Sequence, residues 1–272
     1  MSDFMEGWIG CMWTGVVLGS LGALSCDIWP IAWLMLEVNI MRFIPLISYK
    51  WNAKKATLMY FVVQRVGSLM MLTGVVGIIL SCCLSGLLLK MALAPFHYWG
   101  APFVNALAPF LALIFITWQK LAPLLILISS VPSSWLVLLI ILNAYIGVMN
   151  GIGSKSFILL LFHSSFVHVS WIISCVSQSV KYFLIYAIML APLFLVCRNL
   201  MKGLLIFNLG GLPPFSGFFL KVVVLQRVPL SIGAYLLMTS SFLLYAYLRV
   251  FLLRLDGVLN ASICTLFVGI VL

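Results

Sequence analysis

A single lysine inside a long apolar run constrains this chain more than any other feature of its sequence. Lys90 is the only lysine, arginine or carboxylate between Arg65 and Lys120. A lysine at the centre of a membrane helix costs about 2.5–3.5 kcal/mol on insertion scales. Five residues on, Pro95 has no N–H to donate to the carbonyl of Met91. We therefore predict a broken helix facing protein or water; the alternative is an ordinary kink with a snorkelling lysine.

Composition assigns the chain to the membrane proteins. Hydrophobic residues make up 65% of 272 and charged residues 7%, against about 25% charged in soluble domains. We predict an all-α, polytopic membrane protein that forms one transmembrane domain, residues 1–272, with about eleven transmembrane helices. The predicted spans are 7–25, 28–47, 56–80, 82–100, 106–128, 134–150, 156–177, 179–197, 203–226, 229–252 and 258–272. No basic region precedes the first span, so we expect it to be retained rather than cleaved.

The distribution of charge predicts a topology rather than a nucleic-acid surface. The net charge is +10, but the basic residues are mostly single and lie between apolar runs, so no nucleic-acid partner is expected. Loops on the side of the N-terminus hold seven basic residues, Lys50, Lys54, Lys55, Lys155, Arg198, Lys202 and Arg254, and the other side holds Lys181 and Arg227. The positive-inside rule then places the N-terminus on the inner face, matrix or cytoplasmic.

Glu37 is the one acidic residue predicted to lie in the middle of a span. An unpaired carboxylate in that environment is expected to be protonated, and a cationic partner is the alternative. Lys90 and Arg42 are the two candidates. Since Arg42 is near a helix end, where it can snorkel, we favour Lys90.

Two further lysines accompany helix-breaking residues. Lys120 lies three residues before Pro123 in the fifth predicted span. In the ninth span Lys221 follows a stretch that cannot be continuous helix, with Gly210, Gly211, Pro213 and Pro214. Broken helices at the fourth and ninth positions have opposite directions across the membrane. This pattern predicts an inverted repeat; the alternative is two ordinary kinks in a bundle.

The histidines are candidates for proton transfer. His97 follows Pro95 on the first broken helix and could relay protons between water and Lys90. For His163 and His168 a structural role and a relay role stay equally open. The seven cysteines form no CxxC pair, and no H-x-x-x-H pair occurs. Gly151-Ile152-Gly153 is a GxG without the rest of a nucleotide-binding loop. We therefore expect no metal site and no flavin, nicotinamide or haem site.

Four segments carry a family resemblance. KMALAPFHYW, TWQKLAP, HSSFVHVSW and GGLPPFSGFFLK, in this order and spacing, resemble the NADH dehydrogenase subunit 2 family of respiratory complex I, NADH:ubiquinone oxidoreductase. The resemblance covers most of the chain and implies an antiporter-like membrane subunit of the animal mitochondrial form, in the inner membrane. The family's characteristic intramembrane charges correspond here to Glu37, Lys90, Lys120 and Lys221.

This sequence departs from the family pattern at two places. Family members often have a basic residue where Ile158 and Leu159 stand, and Lys155 lies about one turn away. They also commonly have a glutamate after the His-Phe-Trp stretch, where Gly100-Ala101-Pro102-Phe103 has none.

The resemblance implies a proton-translocating subunit without redox chemistry of its own. It implies that NADH, FMN, iron–sulfur clusters and ubiquinone are handled by partner subunits, and that the chain contacts lipid and other membrane subunits of complex I. Protons would pass from Lys90 to Lys120 and on to Lys221, with Glu37 controlling the charge of Lys90 and with His97 and His168 as possible relays. The alternatives are a free-standing cation/proton antiporter and a non-conducting structural subunit.

Overall fold

The computed structural model describes residues 2–26, 28–50, 54–77, 79–195, 199–213 and 215–255. Within those ranges the chain is helical and contains no strand. Eight described segments are long and apolar enough to cross a membrane: Gly7–Ser25, Trp29–Ser48, Lys54–Val76, Pro109–Ser130, Ser133–Gly153, Phe157–Ser174, Val176–Phe194 and Leu230–Leu252. The all-α prediction is therefore confirmed for these ranges. The predicted number of eleven is not, and the last predicted span, 258–272, lies outside them.

The helices form two compact units, divided between Leu142 and Asn143. The first unit contains α1 (Ser2–Ser25), α2 (Trp29–Lys50), α3 (Lys54–Val76), α4 (Leu80–Lys90), α5 (Gly100–Ala106), α6 (Pro109–Ile116) and α7 (Trp118–Ser130). Helix α8 (Ser133–Gly153) includes the division. The second unit contains α9 (Phe157–Ser174), a 3₁₀ turn (Val176–Gln178), α10 (Ser179–Leu195), α11 (Asn199–Gly210), α12 (Ser216–Leu225) and α13 (Leu230–Leu255). Whether the chain acts as one domain stays a prediction.

The fourth predicted span, 82–100, is broken earlier than the sequence suggested. Helix α4 ends at Lys90, and residues 91–99 form turns before α5 begins at Gly100. Ala92 has a φ of 51°, a left-handed conformation that ends a right-handed helix. We predicted that Pro95 would deprive the Met91 carbonyl of a helical hydrogen bond. This prediction is wrong, because Met91 is already the C-cap of α4.

The fifth span, 106–128, contains a break that the sequence analysis missed. Helix α6 ends at Ile116, and α7 begins at Trp118 after Thr117, whose φ and ψ are −106° and −85°. The hydroxyl of Thr117 donates to the carbonyl of Leu113 at 2.7 Å. Pro123, in contrast, lies inside α7. The interruption thus precedes Lys120 instead of following it.

The ninth span, 203–226, is broken where the sequence predicted. Helix α11 ends at Gly210 and α12 begins at Ser216. Gly211 has a φ of +79°, which glycine adopts without the cost that a Cβ imposes. The side-chain oxygen of Asn208 accepts hydrogen bonds from the Ser216 hydroxyl at 3.0 Å and the Gly217 amide at 2.9 Å. Asn208 therefore holds the start of α12 beside the end of α11. Pro214 lies outside the described residues.

Small residues let α3 and α4 approach closely. A Cβ added to Gly86 would lie 2.6 Å from the carbonyl oxygen of Gly67 and 2.9 Å from the amide of Met71. A Cβ on Gly74 would collide with the backbone of Cys83. Such close backbone contact is typical of helix pairs in membranes. It brings the end of α4, and with it Lys90, against the polar side chains of α3.

Candidate functional site

The first unit contains a buried cluster of charges around Glu37. The Glu37 carboxylate lies near the middle of α2, and its Oε1 is 3.5 Å from the Nζ of Lys90 at the end of α4. Its other oxygen, Oε2, accepts a hydrogen bond from Nη1 of Arg65 on α3 at 2.8 Å. The Ser68 hydroxyl donates to Oε1. Glu37 on α2 therefore has two cationic partners and one hydroxyl donor, which lie on α3 and α4.

Arg65 was not identified from the sequence as a partner of Glu37. Its side chain is 34% exposed, whereas those of Lys90 and Glu37 are 3% and 10% exposed. Gln64, Arg65 and Ser68 form a polar group within one turn of an apolar span, and this was the signal that could have indicated the site. The alternative partner, Arg42, instead has its Nη1 at 3.8 Å from the sulfurs of Cys11 and Met12.

Amide side chains adjoin the cluster. Nε2 of Gln64 donates to the backbone carbonyl of Lys90 at 3.0 Å, so it satisfies an acceptor that the end of α4 leaves open. Nε2 of Gln119 on α7 donates to Oδ1 of Asn39 on α2 at 3.1 Å. Pro123 lies four residues after Gln119 and lacks the N–H that would bond the Gln119 carbonyl within the helix.

A cavity of about 10 Å³ lies among these groups. Its lining consists of Leu36, Asn39, Ile40, Tyr60, Gln64, Lys90, Gln119 and Pro123. A space of this size with polar groups on several sides can hold about one water molecule. Lys120 follows Gln119 directly in α7 and is 1% exposed. The cavity therefore lies between Lys90 and the turn of α7 that carries Lys120.

His97 lies in the turns between α4 and α5 and is 5% exposed. Its Nδ1 is 3.2 Å from the carbonyl oxygen of Pro95. A carbonyl oxygen only accepts, so this contact places a proton on Nδ1. The ring also lies against Tyr98, with ring centroids 4.2 Å apart. The structure thus places His97 near the end of α4, and its relay role stays a prediction.

The second unit buries Lys221 beside the break in its own helix pair. Nζ of Lys221 donates to the carbonyl of Gly210, the last residue of α11, at 2.5 Å. The sequence analysis placed Lys221 after the break, whereas its ammonium lies at the break itself. Side chains of a helix point toward its N-terminus, and for this reason the ammonium of Lys221 lies nearer the break than its backbone does.

His168 on α9 belongs to an aromatic and polar cluster in the same unit. Its Nδ1 is 3.3 Å from the hydroxyl of Tyr182, and its ring stacks on Tyr186 with centroids 4.6 Å apart. Trp171, one turn after His168, lies with its ring centroid 5.9 Å from Nζ of Lys221. Lys221 and His168 therefore border the same part of α9. His163, on the same helix, is 7% exposed.

The possible metal ligands among the described residues are dispersed. Among the described residues no group of three or more His, Cys, Asp or Glu side chains could hold a metal ion. Cys11, Cys26, Cys82, Cys83 and Cys175 are free cysteines. Cys197 and Cys264 lie outside the described ranges.

Sequence comparison with curated proteins shows the family of this chain. A protein of Anopheles gambiae named NADH-ubiquinone oxidoreductase chain 2 is 30% identical over 279 residues, which cover 86% of this chain and 82% of the relative. The chain belongs to the NADH-ubiquinone oxidoreductase chain 2 family. The chain 2 proteins of Pelomedusa subrufa and Mus musculus are 30% and 28% identical, covering 87% and 78% of this chain and 82% and 75% of their own lengths. No family model matches the sequence.

Solved structures share the fold of this chain 2 member. A chain of respiratory complex I from Thermus thermophilus with bound aureothin aligns with a TM-score of 0.77 at 21% identity, over 90% of this chain and 70% of that one. A chain of the Mrp complex from Dietzia sp. aligns with a TM-score of 0.77 at 18% identity, over 88% of this chain. This chain spans 59% of the Mrp chain's length. At such identities the comparison establishes the fold alone, which this chain shares with chains of complex I and of the Mrp complex.

Proposed function

We propose that this chain is the proton-translocating, antiporter-like membrane subunit of respiratory complex I. In this role it couples electron transfer from NADH to ubiquinone, carried out on partner subunits, to proton pumping across the mitochondrial inner membrane. NADH, FMN, the iron–sulfur clusters and ubiquinone are bound by those partners, and this chain contributes titratable groups only. Its N-terminus lies on the matrix side, in keeping with the basic residues of the loops on that side.

The observation that carries the proposal is the buried Lys90 beside Glu37 and the small polar cavity. Lys90 can hold or release a proton, since a lysine ammonium is a titratable charge when it is buried. The Glu37 carboxylate lies 3.5 Å away and is the counter-ion of the Lys90 ammonium. The cavity lined by Lys90 and Gln119 has room for about one water molecule, which would connect Lys90 to the α7 turn of Lys120.

The remaining steps extend this path. Lys120 receives the proton from the cavity and passes it on toward Lys221. Lys221 is the last lysine of the path and delivers the proton to the outer side or to a neighbouring subunit. His97 and His168 are the candidate relays between these lysines and water, because imidazole can both accept and donate a proton.

The proposal is tested by replacing the titrating group while keeping its volume. Lys90→Met, introduced into the assembled complex, is expected to lower proton pumping and the coupled rate of ubiquinone reduction several-fold, with assembly retained. Glu37→Gln is expected to act in the same direction. The measurements are proton uptake per electron and NADH oxidation in sealed vesicles.

The matched control is Lys181→Met, which removes an exposed lysine at the start of α10. It is expected to leave both measurements unchanged. Normal pumping by assembled Lys90→Met complex would show that Lys90 is structural and would support the non-conducting subunit instead.

A free-standing cation/proton antiporter is the second candidate, favoured by the similarity to a chain of the Mrp complex. A sodium site needs several free oxygen ligands in the membrane. Both carboxylate oxygens of Glu37 already accept from Arg65 or Ser68. This arrangement supports proton transfer over cation binding at this position.

A further inference from the structure

Arg65 gives Glu37 a second cation in addition to Lys90. The two contacts differ in quality, because Arg65 bonds Oε2 at 2.8 Å whereas Lys90 lies 3.5 Å from Oε1. The Ser68 hydroxyl donates to the same oxygen that Lys90 faces. Glu37 is therefore held mainly by α3, through Arg65 and Ser68.

The extra cation changes the charge balance of the cluster. A pair of only Glu37 and Lys90 is neutral when Lys90 is protonated and carries −1 when Lys90 is neutral. With Arg65 included, the cluster carries +1 when Lys90 is protonated and is neutral when Lys90 has released its proton. Uncompensated charge in a membrane interior is unfavourable. Arg65 thus reverses which state of Lys90 leaves a net charge.

The environment of Arg65 suits a fixed charge. Its guanidinium lies 5.3 Å from the centre of the Phe61 ring, and Nη2 is 3.4 Å from the sulfur of Met41. An arginine stays protonated in proteins, and its planar group stacks on aromatic rings. Arg65 therefore does not exchange protons itself, unlike the lysine on the other side of Glu37.

We propose that Arg65 is a positioning residue: it is the permanent counter-ion of Glu37 and allows Lys90 to release its proton without leaving an unpaired carboxylate. When Lys90 releases the proton, an N–H bond of the ammonium breaks, the electron pair stays on nitrogen, and the proton passes to a water in the cavity lined by Gln64 and Gln119. Glu37 keeps Arg65 as its counter-ion throughout. This inference rests on the proposed function, because it assigns a part of the same proton path.

The test is a double-variant experiment in the assembled complex. Arg65→Gln is expected to lower proton pumping and the coupled ubiquinone reduction several-fold, and Arg65→Lys is expected to restore most of both. In a Glu37→Gln background, Arg65→Gln is expected to cause little further loss, since there is no carboxylate left to compensate. Arg249→Gln, which removes an exposed arginine bonded to the Ile152 carbonyl, is the matched control and is expected to have little effect.

Several outcomes would overturn the inference. Arg65→Gln with full coupled activity, or an equal loss in the presence and absence of Glu37, would make Arg65 a packing residue. If Arg65→Gln fails to assemble, the double variant Arg65→Gln/Glu37→Gln decides, because it leaves no unpaired carboxylate and is expected to assemble. A double variant that also fails to assemble contradicts the proposal.

The Lys90 and Arg65 variants together distinguish this inference from the proposed function. If Lys90→Met stops pumping and Arg65→Gln does not, only this inference fails. If Lys90→Met pumps normally, the proposed function fails.

Discussion

Glu37 and Lys221, two of the charged residues buried in the described ranges, each have a specific hydrogen-bond partner. Lys221 donates to the carbonyl of Gly210, and Glu37 accepts from Arg65 and Ser68. Such contacts offset part of the cost of removing charge and carbonyl groups from water. The same contacts make the side chains candidates for two roles, structural and functional, which a well-chosen substitution can separate.

Lys221→Gln separates these roles at the break between α11 and α12. Glutamine keeps an N–H donor for the Gly210 carbonyl but cannot carry a proton, so we expect the complex to assemble and its pumping to fall several-fold. Lys221→Met removes the donor as well, and leaving the carbonyl unpaired is expected to cost about 1–3 kcal/mol of stability. Pumping and thermal denaturation of the purified complex measure the two effects. Normal pumping by Lys221→Gln would exclude Lys221 from the proton path.

Between helices, glycine contacts determine where the functional side chains meet. Gly67 and Gly86 allow the backbones of α3 and α4 to touch, and this contact brings Lys90 within reach of the α3 side chains. The carbonyl of Lys90 then accepts from Gln64, one turn from Ser68. The helix pair therefore acts as the scaffold of the charge cluster.

Gly86→Ala tests this scaffold. The added Cβ would lie 2.6 Å from the Gly67 carbonyl, so α3 and α4 must separate by some tenths of an ångström. Overpacking of this kind is expected to cost about 1–3 kcal/mol, and pumping is expected to fall because Lys90 moves relative to Glu37. Thermal stability and coupled activity are the measurements.

Gly10→Ala is the control for this substitution, since nothing lies within 4 Å of its added Cβ. It is expected to be neutral or slightly stabilising in a helix. Equal effects of the two substitutions would show that the α3–α4 contact does not determine the site.

At the scale of the whole molecule, the chain exposes many large apolar side chains. It also exposes 34% of the Arg65 side chain, near the middle of a predicted span. Apolar surface can face lipid, but a partly exposed charge at that depth is costly. The chain is therefore better suited to a place among other membrane subunits than to free existence in the bilayer.

Native electrophoresis of mildly solubilised membranes checks this expectation. The chain is expected to migrate with a large assembly that retains NADH-dependent ubiquinone reduction. Migration as a single chain that exchanges cations for protons after reconstitution would instead establish the free-standing antiporter.

The sequence by itself determined the membrane class and the break in the ninth span. Both depend on local chemistry: the apolar runs exclude a soluble domain, and the glycines and prolines at 210–214 interrupt helical hydrogen bonding wherever they lie. It also selected Glu37 and Lys90 as neighbours, because an isolated charge in an apolar span needs a partner.

Only the tertiary structure decided the details of the charge cluster. The contact of Arg65 with Glu37 joins residues 28 positions apart on different helices, and it depends on how α2 and α3 pack. The end of α4 at Lys90, the break at Thr117 and the return of Lys221 to Gly210 likewise follow from packing and side-chain direction. The polar group Gln64, Arg65 and Ser68 is visible in the sequence, but its partners are not, because those contacts are made between separate helices.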